Sequence, residues 1–471
     1  MVLRKALSLM LCALSIIVLL GCQATISRLK PPLEEEGEIY LYTQSLPQEA
    51  DRLRFTIEKI FAVSNEGLEI PLVVSLREIK GLEVKRQRLL ASGRIPPGSY
   101  SGLAFQVKNA ILKVEEGEAA LLVPEKPVRV EFPFNVSRKK AYVISLNFKY
   151  RESITGDISF SPLFSIKIPA KPISSLAGYV TNYNANNIIV FDKKLGQVTG
   201  VITTGRGPAG MTLDQKRRRA YVGISGDDTI EVIDVTAGEA IDRLRLNSGD
   251  QPKELGLTPD GNTLLTVNTG SNTVSIINPI SLMELARIKV GNGPNSLLID
   301  PTGRRAYIFN TLSSTISVID IPNKAIVTTI STDPGPLRGQ FNRRGDKIYV
   351  IHEWSSYLSV IDPLSLSVAK RFSVSMGMTS IKFDANTDLV YLGRKNDTIV
   401  QAYDPFSFVP VDLINTRGGI TYMTIDGAEN NLYLVNPGVG TLMVTNLANK
   451  KMVFVIDVGE GPYWVTVMGE R

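Results

Sequence analysis

The chain contains one histidine, His352, which opens the run His352-Glu353-Trp354. A single imidazole excludes metal sites built from several histidines, and a Ser-His-Asp or His-Glu arrangement would have to use it. No nucleophile motif or phosphate-binding glycine loop accompanies it. The two cysteines, Cys12 and Cys22, both lie near the N-terminus, so the rest of the chain has no disulfide framework, CxxC pair or haem-attachment motif. These residues argue against an enzyme, a resident metal and a cofactor. What remains is recognition chemistry. Trp354 and Trp464 are the only tryptophans, and with Tyr422 and Tyr463 they offer flat apolar faces. Arg338 and Arg394 offer forked donors for carboxylate, phosphate or sugar oxygens. Arg338, His352, Trp354, Arg394, Tyr422, Tyr463 and Trp464 are therefore the candidate ligand-binding residues, suited to a glycan, a peptide or a partner protein.

Internal repeats bring these distant residues together. An Asp or Asn ends a Val/Ile-rich run at Asp192, Asp234, Asn278, Asp320, Asp362, Asp404 and Asn446, at steps of 42 or 44 residues. A Gly-Pro or its equivalent falls at Gly207, Gln251, Gly293, Gly335, Gly377, Gly419 and Gly461, in the same steps. Each repeat reads as four short strands, A to D, which is the signature of a β-propeller blade. The first repeat begins at strand B and the chain ends on a lone strand A, so the termini pair to close a ring of seven blades. Closure removes an open edge. The D–A and B–C connections share one rim, called the top here. Strand B ends in Asn182, Asn268, Asn310 and Asn436, with Ile224, His352 and Arg394 as the departures. The candidate residues all map to the top half of the ring on blades five, six, seven and one. A filled channel neck and a solvated turn are the plainer reading of Trp464 and His352.

The run 179–182, Tyr-Val-Thr-Asn, together with 272–277 and 291–294, resembles the YVTN-type propeller repeat of bacterial secreted and surface-layer proteins. The likeness extends more distantly to the haem-binding propeller of cytochrome-type nitrite reductases. It implies the fold and leaves the ligand open. Phosphogluconolactonase-like propellers imply that such a ring can host hydrolysis.

The bottom rim is basic. Lys193, Lys194, Lys216, Arg217, Arg218, Arg219, Lys450 and Lys451 fall on turns of adjacent blades one, two and seven. An arc of that kind suits anionic lipid or an acidic partner, and solvated turns are the alternative. With 52 basic against 46 acidic residues the whole chain is too mildly charged to imply nucleic acid.

Arg4 and Lys5 precede an uncharged run, 6–20, too short to span a membrane but of signal-peptide length. It ends in Leu19-Leu20-Gly21-Cys22, which resembles the lipobox of bacterial lipoproteins. The resemblance implies a signal peptide at 1–21 and a palmitate-type lipid on Cys22. With Gln23 following, it implies placement at the outer membrane of a Gram-negative envelope, on either its periplasmic or its surface face. Residues 22–37 read as a solvated tether, 38–171 as a β-sandwich domain, 172–177 as a linker and 178–471 as the propeller. Within the sandwich, 89–107 resembles an uncharacterised domain family of bacterial lipoproteins. The expectation is an all-β, membrane-anchored envelope lipoprotein, a seven-bladed propeller preceded by a β-sandwich. It would serve as a non-catalytic binding module, with a purely structural scaffold or a lactonase-like hydrolase as alternatives.

Overall fold

A computed structural model describes residues 30–470 except Glu116; the leader and Cys22 lie outside the described residues. No helix among the described residues is long and apolar enough to cross a membrane.

The first domain alternates apolar and polar residues along its strands, as in Leu53–Ser64, whose Leu53, Phe55 and Ile57 are buried while Arg54 and Thr56 are not. Ten strands form one continuous sheet. Its path runs from Phe164–Lys167 through Ala141–Phe148, Gly37–Thr43, Arg88–Ile95, Glu69–Val74 and Leu53–Ser64 to Gly98–Val114 and Gly117–Leu121. The sheet curls until strands far apart on that path face each other. Phe105 meets Phe164 at 4.9 Å between ring centroids, and Phe55 meets Phe148 at 5.5 Å. The expected two-layered core thus comes from one curled sheet. The turn Pro96-Pro97-Gly98 closes on itself, because the Tyr100 hydroxyl donates to the Pro96 carbonyl at 2.7 Å.

The propeller is seven antiparallel four-stranded sheets. Blade one is closed by the two ends of this region. Pro462–Val467 pairs with Ala177–Asn182, in a register that sets Val465 opposite Val180 and Trp464 opposite Thr181. Strand C is buried on both faces in most blades because each sheet packs between two neighbours; Thr273–Asn278 is an example. The strand-end Asp and Asn recur for a turn-chemistry reason. Asp192 Oδ1 accepts from the amides of Lys194 and Leu195, and Asp404 Oδ1 from those of Phe406 and Ser407. A strand-B tyrosine adds a tie between blades. Tyr221 donates to the Pro279 carbonyl at 3.1 Å and Tyr349 to that of Pro405 at 3.0 Å, each on the turn of the next blade.

The two domains are docked side by side. Asp457 on the outer strand of blade seven takes Arg86 at 2.9 Å, Arg88 at 2.7 Å and the Leu89 amide at 3.1 Å. Tyr40 and Tyr42 of the first domain are buried in the apolar cluster of blade one. The segment before the first strand is tied to the protein at its two ends, while Pro31 and Glu34, Glu35 and Glu36 are exposed. Lys30 pairs with the buried Glu38, the Lys30 amide donates to the Asn184 carbonyl, and Gly37 already belongs to a strand. The physical reason is that Glu38, at 2% exposure, needs a counter-charge that the segment itself supplies.

Candidate functional site

Strand A lines the central channel, and its third residue after the Gly-Pro marker forms one layer: Gly210, Glu254, Ser296, Arg338, Ser380, Tyr422 and Trp464. Five of these sites carry a small residue (Gly210, Ser296 and Ser380) or an aromatic ring (Tyr422 and Trp464), and two, Glu254 and Arg338, carry a charge. Arg338 reaches across the layer. Its Nη1 is 2.8 Å from Glu254, and its guanidinium lies 4.9 Å from the Tyr422 ring centre and 5.0 Å from that of Trp464. The two rings stack on each other at 3.6 Å. Burial pushes the Glu254 carboxyl above the usual range although Arg338 opposes it, and burial likewise raises the Tyr422 phenol. Tyr463 is partly buried beside Tyr183, at 5.8 Å between rings. Below this layer Glu470 accepts from the Thr424 and Thr466 hydroxyls and lies 3.9 Å from Lys382, whose ammonium is pushed down by burial. The channel is thus filled by side chains in contact with one another, with Arg338 Nε and Ser380 Oγ left buried without a hydrogen-bond partner.

The structure brings Arg338, Tyr422, Tyr463 and Trp464 together, but inside the ring. The other three candidates lie elsewhere. His352 is 1% exposed, which corrects the reading of it as an exposed rim residue. It occupies the place that asparagine holds in other blades. Asn268 donates to Thr273 and Asn310 to Thr315, five residues on, and His352 Nδ1 contacts the Tyr357 carbonyl at 3.1 Å over the same spacing. Burial lowers its pKa below the ordinary histidine value. Arg394 is half-buried and paired with Asp397. Trp354 is the surface residue of the set, at 46% exposure. It rests on Gly335, whose φ of +73° is a left-handed conformation that glycine adopts without strain, and a Cβ there would press on the indole at 3.0 Å. One blade earlier Leu312, 68% exposed, covers Gly293 in the same way.

The basic rim is also rearranged. Lys193 is buried, with its ammonium between Asp426 and the Met468 carbonyl, so it joins the ring ends and offers nothing to a membrane. Arg217 is tied to Asp214 at 2.7 Å and to the Gly261 carbonyl at 2.8 Å; Lys450 donates to the Tyr391 hydroxyl. Lys194, Lys216, Arg218 and Lys451 remain exposed, and Arg219 is half-buried.

Sequence reasoning missed Glu254, Lys382 and Glu470, although their positions in the repeat place the first two on strand A. It also missed a cleft between the domains, for which no signal exists in either domain alone. Among the described residues no group of three or more His, Cys, Asp and Glu side chains is placed to hold a metal ion.

The YNCE-like beta-propeller family matches residues 174–383. The propeller is related to that family. No curated protein matches the chain. Among solved structures, a functionally unknown protein from Desulfotomaculum acetoxidans DSM 771 is 14% identical with a TM-score of 0.55, over 62% of this chain and 99% of that one. The dihydro-heme d1 dehydrogenase NirN, solved in complex with DHE, is 12% identical with a TM-score of 0.51, over 64% of this chain and 77% of that one. Hydrazine synthase of Kuenenia stuttgartiensis is 19% identical with a TM-score of 0.49, over 54% of this chain and 88% of that one. At these identities the likeness is one of fold.

Proposed function

We propose that the protein is a non-catalytic binding module of the cell envelope, held to a membrane by lipid on Cys22. Its top face would receive a glycan, a peptide or a partner protein of the envelope. Trp354 carries this reading. The indole covers Gly335 yet keeps 46% of its surface exposed on the top rim, and Leu312 over Gly293 on the neighbouring blade adds a second exposed apolar face. The filled channel favours a surface ligand over one taken into the ring.

Tryptophan emission tests the idea directly, because the only other tryptophan, Trp464, is buried. Titration with peptidoglycan fragments and envelope peptides should shift the emission of the parent and leave Trp354→Phe unchanged. Trp354→Ala should bind the same ligand at least tenfold more weakly with an unaltered melting curve. Equal affinity in parent and Trp354→Ala would remove the site from this rim. A scaffold role is supported instead if no envelope fragment moves the signal, and the packing of Arg338, Glu254, Tyr422 and Trp464 on one another in the channel fits it.

A further inference from the structure

A cleft of about 1050 Å³ runs between the first domain and the outer strands of blades one and two. Its volume is at the upper end of the roughly 300–1,000 Å³ of ordinary ligand pockets. Tyr142 and Val143 line one side with Pro169 and, from the linker, Pro172, and residues 235–240 of blade two form the other side. One wall is the strand Gln197–Thr203, which has a strand partner on its inner side alone.

The pairing pattern shows which of its backbone groups face the cleft. Val198 is turned away from strand C, because the Gln87 side chain takes both of its groups: Oε1 accepts from the Val198 amide at 2.7 Å and Nε2 donates to its carbonyl at 3.4 Å. Gln87 thus does for Val198 what a residue of a neighbouring strand would do. After the bulge at Thr199, Gly200 pairs with Val190, Val201 with Ile189 and Thr203 with Asn187. Alternation then turns the N–H and C=O of Val201 and Thr203 outward. No backbone group among the described residues bonds them there. The outer strand of blade seven, Met452–Asp457, also faces the first domain, and there Arg86 donates to the Val455 carbonyl at 2.8 Å.

A second observation is independent of the edge. Glu231 lines the cleft with its side chain 2% exposed. Its Oε1 accepts from Arg243 at 2.6 Å and from the Gly205 amide at 3.2 Å, while Oε2 is buried without a partner. Blades three, four and five carry Ser275, Ser317 and Ser359 at the same register, opposite Arg287, Thr329 and Arg371. Blade two has replaced a serine by a carboxylate with one oxygen left to accept a bond, and a buried acceptor of that kind is costly unless a donor arrives.

We propose that this cleft binds an extended peptide segment of a partner protein. The segment adds to blade one as a fifth strand through Val201 and Thr203, and a hydrogen-bond-donating side chain meets Glu231 Oε2. The site is separate from the top face and stands whether or not that face has a ligand.

The probe is a synthetic ten-residue peptide chosen from a displayed random library by selection on the whole protein. Hydrogen exchange should slow at least tenfold at the Val201 and Thr203 amides when the peptide is bound. Glu231→Ser, which restores the residue of blades three to five, should keep the melting temperature and weaken the peptide at least tenfold. Val201→Pro deletes an outward N–H and should do the same; if it fails to fold, Glu231→Ser and the exchange data decide. Peptides that protect only top-rim amides, peptides that bind Glu231→Ser as they bind the parent, or a selection that yields no binder would each overturn the proposal.

Discussion

His352 stands where other blades place asparagine, and its burial couples folding to acid. Burial holds its folded pKa below the unfolded value of about 6.5, against the weaker pull of Asp333 and the Tyr357 carbonyl. The unfolded chain therefore takes up the proton first as pH falls. The stability that neutral His352 contributes is complete above about pH 6.5 and is lost as pH falls toward the folded pKa. His352→Asn installs the residue that Asn268 and Asn310 already show to fit. Denaturant melts at pH 7 and pH 5 should show the parent losing more than the variant, by at most about 1.4 kcal/mol per pH unit. Equal losses would mean that the imidazole is not held neutral. The same residue illustrates what a sequence conceals. The spacing from strand end to turn placed His352 correctly in the repeat, but whether that position points into the turn or out of it depends on a side-chain bond, His352 Nδ1 to the Tyr357 carbonyl, that no periodicity encodes.

At the scale of the strand, the closing element Pro462–Val467 buries Trp464, Val465 and Val467 against the first and last blades. Each large apolar side chain lost from a core costs about 1.5–3 kcal/mol, so removing residues 463–471 should cost several kcal/mol. The expected outcome is a chain that melts far below the parent or does not fold; a truncated ring that melts like the parent would refute the closure. The deletion also removes Glu470 from Thr424, and the Met468 carbonyl from Lys193. Elements of this kind were legible because the signals are local: a strand-end Asp or Asn binds amides two and three residues away, and the next copy follows 42 or 44 residues later. The curl of the first sheet was not legible, since it depends on Phe105 finding Phe164 across strands that never pair.

For the molecule as a whole, the docking of its two domains could not be read in advance. Arg88 and Asp457 meet across 369 residues, and Gln87 and Val198 across 111, with neither partner unusual by type or spacing. The charge arc is smaller than its sequence reading for a related reason, with Lys194, Lys216, Arg218 and Lys451 still exposed. Lys193 looked like a free turn lysine until Asp426 of the last blade came beside it. Anchoring belongs to this scale as well. Cys22→Ser should abolish lipid labelling and move the protein from the membrane fraction to the soluble fraction, with the melting curve unchanged. A variant still processed and still membrane-bound would exclude lipid on Cys22.

The knot of contacts at Lys30 sets the path that tension takes through the molecule. The Lys30 amide lies on the Asn184 carbonyl, its carbonyl on the Asn186 amide and its ammonium on Glu38. A pull on the N-terminal end is therefore shared at Lys30 between blade one and the first strand, Gly37–Thr43, before it can reach the rest of the curled sheet. Because Pro462–Val467 belongs to the same blade, the force arrives at the one place where the ring is held without a peptide bond. Arg88 on Asp457 and Gln87 on Val198 bridge the outer strands of blades seven and one across that place, so the first domain works as a splint over the joint that carries the load.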